Sequence, residues 1–174
     1  MEFFLRVIAD TDDTVIREVR IKGGASMMKL HEHIFSEFKL NPGEMASFYY
    51  STPNWDQGDE LPMFAMDDEM QSMEGTSVDQ FFNFTKNGFY VYNFLDMNIF
   101  YLEVVKTEEE EGFEDFVVLS SVGELPERMH QASSKDPSQM SDAELNALYG
   151  MDGLDSGALP RAKESDEDSY GYDY

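Results

Sequence analysis

Histidine has the widest chemical repertoire of any side chain in this 174-residue chain, and its three copies, His31, His33 and His130, are badly placed to use it. On a helix, residues two apart point about 200° from one another, so His31 and His33 do not share a metal as histidines four apart do. Nor do Glu32 and His33 complete a His-Glu-x-x-His zinc motif, because residue 35 is Phe. His31 reads as a partly buried, hydrogen-bonded helix residue, His33 as a surface one, and His130 falls in the C-terminal region. Cysteine is absent, which removes thiolate nucleophiles, Cys-ligated zinc, iron–sulfur clusters and disulfides. The acids number 36, so some close carboxylate pair arises by chance and carries no catalytic signal of its own. Asp10-x-Asp12 lacks the glycine of a calcium loop, and Asp166-x-Asp168-x-Tyr170-Gly171 ends before the glutamate such a loop needs. No glycine-rich phosphate loop is present: Gly23-Gly24 has no Lys-Ser after it. No cofactor and no metal are expected, and an enzyme is the less favoured class.

Aromatic and amphipathic features point to binding instead. Trp55 is the single tryptophan, in a polar loop beside Tyr49 and Tyr50. It is either an exposed anchor of the kind that dominates interfaces or, as the balance favours, a lid folded back on a sheet. The run Phe81, Phe82, Phe84 and Phe89 reads as core rather than groove. Near the C-terminus, Ser141-Asp142-Ala143-Glu144 fits a capping box and Gly150 a stop, with Leu145, Leu148 and Tyr149 on one side of a two-turn helix over 141–149. A helix that short is marginal alone. It either packs on its parent domain or orders on a partner.

The elements that must position these residues follow from patterning. Phe3–Ile8 and Thr14–Ile21 predict a hairpin, with Val15, Arg17, Val19 and Ile21 on one face of its second strand. After Gly23-Gly24, Ser26 caps a helix to about Leu40 whose stripe Met27, Leu30, Ile34, Phe35 and Phe38 packs on the sheet. A strand at Ala46–Tyr50 follows, then a loop at Ser51–Glu60, an extended segment at Leu61–Met66 and an acidic loop at Asp67–Gly75. Thr76–Phe82 makes one or two helical turns, and strands are expected at Phe89–Leu95, Asn98–Val105 and Phe116–Ser121, with the acid run Glu108–Glu111 as a solvated connection. By layer logic the order β-β-α-β-β-(α)-β-β-β is an α+β domain, one main helix on a largely antiparallel sheet, β-grasp-like in its opening hairpin and helix.

Composition sets the outer limits. The net charge is −24 with 41% hydrophobic and 14% aromatic residues, enough apolar surface for a core but too few cations for a direct nucleic-acid binder or an anionic membrane surface. Residues 1–106 hold 18 acids and 8 bases, whereas 107–174 hold 18 acids and only 4 bases in 68 positions. The shift predicts a folded domain over 1–122 and an acidic, mostly disordered tail over 123–174. No apolar run reaches membrane-spanning length, and a cytoplasmic location is expected.

Five segments taken together resemble a known family. They are Ile16–Ile21, Leu30–Ile34 with Phe38, Asn54–Leu61, Tyr90–Asp96 with Leu102 and Val104, and Val118–Glu127. In that order they look like the plasmid Ri open-reading-frame-three family, whose members are also known as insertion-element passenger proteins. The resemblance covers about residues 1–127 and implies an α+β fold without an established activity. The family's most polar motif, Tyr-Asp-Phe-Gly-Asp followed by Trp and His, survives here only as Tyr92, Phe94 and Asp96. Asn93, Leu95, Asn98 and Phe100 stand at its other positions. The resulting expectation is a non-enzymatic binding or adaptor module, with Trp55, Tyr92, Asp96, Leu145, Leu148 and Tyr149 as candidate binding residues. Its partner would be a protein carrying a basic patch. The alternatives are a ligand-processing enzyme built around Tyr92 and Asp96, and an acidic nucleic-acid mimic.

Overall fold

Strict alternation along the first two strands decides which side of the sheet is dry. In the computed structural model, which describes residues 1–130 apart from 42, 68 and 110–113, β1 (Glu2–Ala9) buries Phe3, Leu5, Val7 and Ala9 on one face. Strand β2 (Ile16–Lys22) lies antiparallel to it, with Leu5 opposite Val19 and Phe3 opposite Ile21 on that same face. Residue 15 precedes the strand and is fully buried.

Helix α1 (Met27–Glu37) covers this face with Met27, Leu30, His31 and Ile34. Ser26 caps it, its Oγ accepting from the Lys29 amide at 3.2 Å. The helix stops three residues short of Leu40 because Lys39 turns into the left-handed region (φ 51°), and the Leu40 amide closes back on the Phe35 carbonyl at 3.0 Å. Phe38 and Leu40 remain in the core although they have left the helix.

Strands β3 (Ala46–Ser51) and β4 (Gln57–Pro62) form a second hairpin. Half of the loop expected at 51–60 is therefore strand. The extended segment expected at 61–66 is the strand's end and the bends after it. Strand β4 is an edge strand that sends Leu61 inward opposite Phe48 and exposes Gln57, Asp59 and Glu60, so its apolar pattern is too sparse to read. Helix α2 (Val78–Phe81) begins at Ser77, whose amide donates to the Gln80 side chain at 2.9 Å, and buries Val78 and Phe81.

Strands β5 (Asn87–Tyr92), β6 (Asn98–Glu108) and β7 (Phe116–Val122) complete one seven-stranded sheet of order β4-β3-β5-β6-β1-β2-β7, every neighbouring pair antiparallel. The element order matches the one read from the sequence, and the architecture is α+β with one main helix. The β5 strand ends three residues before Leu95, because Asn93 (φ 55°) turns the chain and accepts the Leu95 amide on its side-chain oxygen at 3.1 Å.

Packing continues past the boundary expected at residue 122. Leu125 is 7% and Met129 1% exposed, both within the core cluster, and a single 3₁₀ turn spans Glu127–Met129. Gly123 takes φ +70° where a Cβ would sit 2.2 Å from the Thr14 carbonyl oxygen, so only glycine makes this bend without strain. The buried Arg17 guanidinium clasps the bend, donating from Nη1 to the carbonyls of Ile16, Val122 and Gly123 at 2.9, 2.9 and 3.0 Å. The tail assigned to 123–174 thus gives its first residues to the domain, and the helix over 141–149 lies outside the described residues.

Candidate functional site

Two open clefts flank one exposed aromatic ring at the end of the sheet where β3, β4 and β5 meet the turn after α2. Phe81 and Phe82 point into the core from the short helix, the chain turns over 83–86 to enter β5, and Phe84 is left 91% exposed on the outside of that turn. Thr85 fixes the turn: its hydroxyl donates to the Ser51 carbonyl at 2.5 Å and accepts the Asn87 amide at 3.1 Å. The larger cleft, about 710 Å³, adds Tyr50, Asp59, Gln71 and Gln80 to the shared wall of Pro53, Asn83, Phe84 and Thr85. The smaller, about 600 Å³, carries Trp55, Lys86 and Glu103 beside that wall. Both volumes lie in the range of ordinary ligand clefts.

Trp55 takes the lid position. The loop over 52–56 is closed by the Trp55 amide on the Thr52 carbonyl at 3.0 Å and by the Thr52 hydroxyl on Asp56 Oδ2 at 2.9 Å, with Trp55 itself at φ 67°. Its ring meets Phe89 edge-on at 5.7 Å and Tyr101 at 5.3 Å, on the sheet face opposite α1. Half-buried in this way, it still lines the smaller cleft. Phe84 is the residue that the sequence reading placed wrongly, grouping it with the core aromatics Phe81, Phe82 and Phe89. Its polar flanks, Asn83, Thr85 and Lys86, were the available signal, the same setting that singles out Trp55.

Tyr92 holds a backbone carbonyl and Asp96 a side-chain amide. Tyr92 is fully buried and its hydroxyl donates to the Asn41 carbonyl at 2.7 Å. Burial raises its pKa against a smaller opposing contribution from the Asn41 hydrogen bond, with the carboxylates of Glu44 and Asp96 adding to the rise, which removes it as a base near neutrality. Asp96 is exposed in the β5–β6 turn and accepts from Asn93 Nδ2 at 3.1 Å. Leu145, Leu148 and Tyr149 lie outside the described residues.

The histidines are dispersed. His31 is 8% exposed, its Nδ1 2.9 Å from the Tyr90 hydroxyl, and burial lowers its pKa against a smaller opposing pull from Glu32. His33 stacks flat on Phe116 at 3.8 Å, and burial lowers its pKa as well. The His130 ring meets the Lys39 carbonyl at 2.9 Å. Among the described residues no three His, Cys, Asp or Glu side chains gather to hold a metal ion, and no helix is long and apolar enough to cross a membrane.

In the larger cleft the Tyr50 ring stacks on Phe81 at 4.5 Å and its hydroxyl donates to Gln71 Oε1 at 3.4 Å. Burial and the Asp59 charge raise the Tyr50 pKa, so this phenol too stays protonated. Hydroxyls, amides and one carboxylate around an exposed ring offer contact area and hydrogen-bonding groups.

Comparison with known proteins agrees with the fold. A crystal structure of a protein of unknown function from Methanosarcina mazei Go1 superposes with a TM-score of 0.58 over 69% of this chain and 68% of that one. The two are 17% identical, so the likeness concerns the fold alone. No curated protein matches the chain. A family model does, from the middle of β1 through the 3₁₀ turn that closes the core: with residues 5–128 matched, the chain belongs to the plasmid pRiA4b ORF-3-like protein family.

Proposed function

We propose that the chain is a cytoplasmic, non-enzymatic binding module whose partner is a protein with a basic patch. The observation that carries this reading is Phe84, 91% exposed between two clefts, in a chain with 36 acids and 12 bases. A ring carried on a hydrogen-bonded turn among amides and hydroxyls resembles the aromatic anchors of protein interfaces, and the surplus of carboxylates would steer a cationic partner toward it. The acidic region after residue 130 strengthens that steering in this reading.

The test is affinity capture from the source cell with three baits: the full chain, Phe84→Ser, and a chain ending at residue 130. The end point is set there because Leu125 and Met129 belong to the core. A partner held by the full chain, lost with Phe84→Ser and weakened at low salt by the truncation supports the module as described. Equal recovery by all three baits refutes it.

A further inference from the structure

A third opening, away from the clefts beside Phe84, runs between α1 and the segments that enter β3 and leave β4. It measures about 420 Å³ and its walls are Phe35, Met45, Met63 and Phe64, with His31 among them. Met45 and Phe64 are 51% and 58% exposed. Glu32 and Glu44 are the charged groups along it.

The state of His31 gives this groove its chemistry. Tyr90 is fully buried, and the one hydrogen bond its hydroxyl makes among the described residues is to His31 Nδ1. A phenol sealed from water must place its proton on an acceptor, so Tyr90 donates and Nδ1 accepts. The other ring nitrogen, Nε2, then carries the hydrogen of the neutral imidazole. Nε2 has no hydrogen-bond partner among the described residues, yet it is not among the polar atoms sealed without one, which are Glu2 Oε1 and Arg20 Nε. His31 lines the groove, and of its two ring nitrogens Nε2 is the one left to face it. A 92%-buried side chain thus offers a single fixed N–H in an apolar, sulfur- and aromatic-walled recess.

We propose that this groove binds a small, uncharged, largely apolar molecule bearing one hydrogen-bond acceptor, such as an aryl ketone, which takes the Nε2–H of His31. Tyr90 acts as the positioning residue: by occupying Nδ1 it fixes the tautomer that turns the donor outward. Glu32 and Glu44 select against anions, so fatty or aromatic carboxylates of the same shape are poor occupants. The site is separate from the protein-binding reading above and stands or falls without it.

The experiment uses the full chain and three probes of one shape. They are 2-acetylnaphthalene, 2-ethylnaphthalene, which lacks the acceptor, and 2-naphthoate, which adds a charge. Titrations are followed by NMR, with long-range ¹H–¹⁵N correlation of the His31 ring. The expected result is saturable binding of the ketone, about tenfold weaker binding of the hydrocarbon, no stronger binding of the carboxylate, and an Nε2–H tautomer whose proton moves when the ketone binds. The variant His31→Phe/Tyr90→Phe removes both hydrogen-bonding partners and keeps the volume, so it folds and should bind ketone and hydrocarbon equally. Phe64→Ala, an exposed substitution without a folding burden, should weaken both. Equal affinity for ketone and hydrocarbon in the unmodified chain overturns the proposal, as does an Nδ1–H tautomer, unchanged ketone preference in the double variant, or no saturable binding of the ketone.

Discussion

Tyr90→Phe removes one oxygen atom from the middle of the sheet and should cost far more than its size suggests. The hydroxyl is fully buried and 2.9 Å from His31 Nδ1, so deleting it leaves a buried acceptor without a donor. Leaving one polar partner stranded costs about 1–3 kcal/mol, whereas removing both with matched apolar groups is nearly neutral. His31→Phe strands the Tyr90 hydroxyl in the same way, so each single variant should lose about 1–3 kcal/mol and the double variant well under the sum of the two, close to neutral. For a unit of this size such a loss lowers Tm by roughly 3–10 °C. Urea unfolding at pH 7.5, followed by the fluorescence of the single tryptophan, Trp55, packed on Phe89 and Tyr101, reports the four free energies of the cycle. A silent Tyr90→Phe, or strictly additive losses, would falsify the assignment of this bond as a sealed, obligatory pair.

Three further outcomes are expected. His31 and His33 both have pKa values lowered by burial, so the unfolded chain binds the extra protons; stability should hold above the ordinary histidine range near pH 6.5 and fall as pH drops below it, and urea midpoints between pH 8 and 5 should show a flatter fall in His31→Phe/Tyr90→Phe. A chain ending at residue 122 forfeits the burial of Leu125 and Met129, about 3–6 kcal/mol, and should melt well below one ending at residue 130, which should melt with the full chain's main transition; equal midpoints for 122 and 130 would count against the extended core. Gly123→Ala should cost more than about 2 kcal/mol, because its Cβ would meet the Thr14 carbonyl oxygen and its φ is +70°; a neutral result in thermal melts would show that the bend relaxes freely.

Element order and the faces of the first hairpin were readable because period two and the helical stripe of α1 are strong signals there. Arg17 sits on the buried face as the alternation requires, though nothing in the alternation says that its charge would be spent on three carbonyls. What stayed hidden depended on single backbone angles or on distant packing. Lys39 ends α1 early and Asn93 ends β5 early through positive φ values that residue type only weakly favours. Strand β4 carries just one inward residue, Leu61, and so looked like loop. Leu125 and Met129 are isolated apolar residues among polar ones, next to a turn glycine and a proline, which masked their packing. The candidate site was half legible. Trp55 stood out as the lone tryptophan of a polar loop, whereas Phe84 was hidden by its neighbours, since three of the four phenylalanines in that run are core.

The place of β1 in the sheet sets a timetable for synthesis. Its two partners differ greatly in how soon they appear: β2 follows within a hairpin, but β6 supplies its other edge, with Arg6 reaching Glu103 across 97 residues of chain. At ordinary elongation rates of about 5–20 residues per second, the nascent hairpin waits roughly 5–20 s with that edge unpaired, and closing so distant a contact is intrinsically slow. The interval before β6 emerges is when this chain is most exposed to strand-to-strand aggregation, and mutations that speed pairing of β6 with β1 should raise soluble yield without touching either cleft.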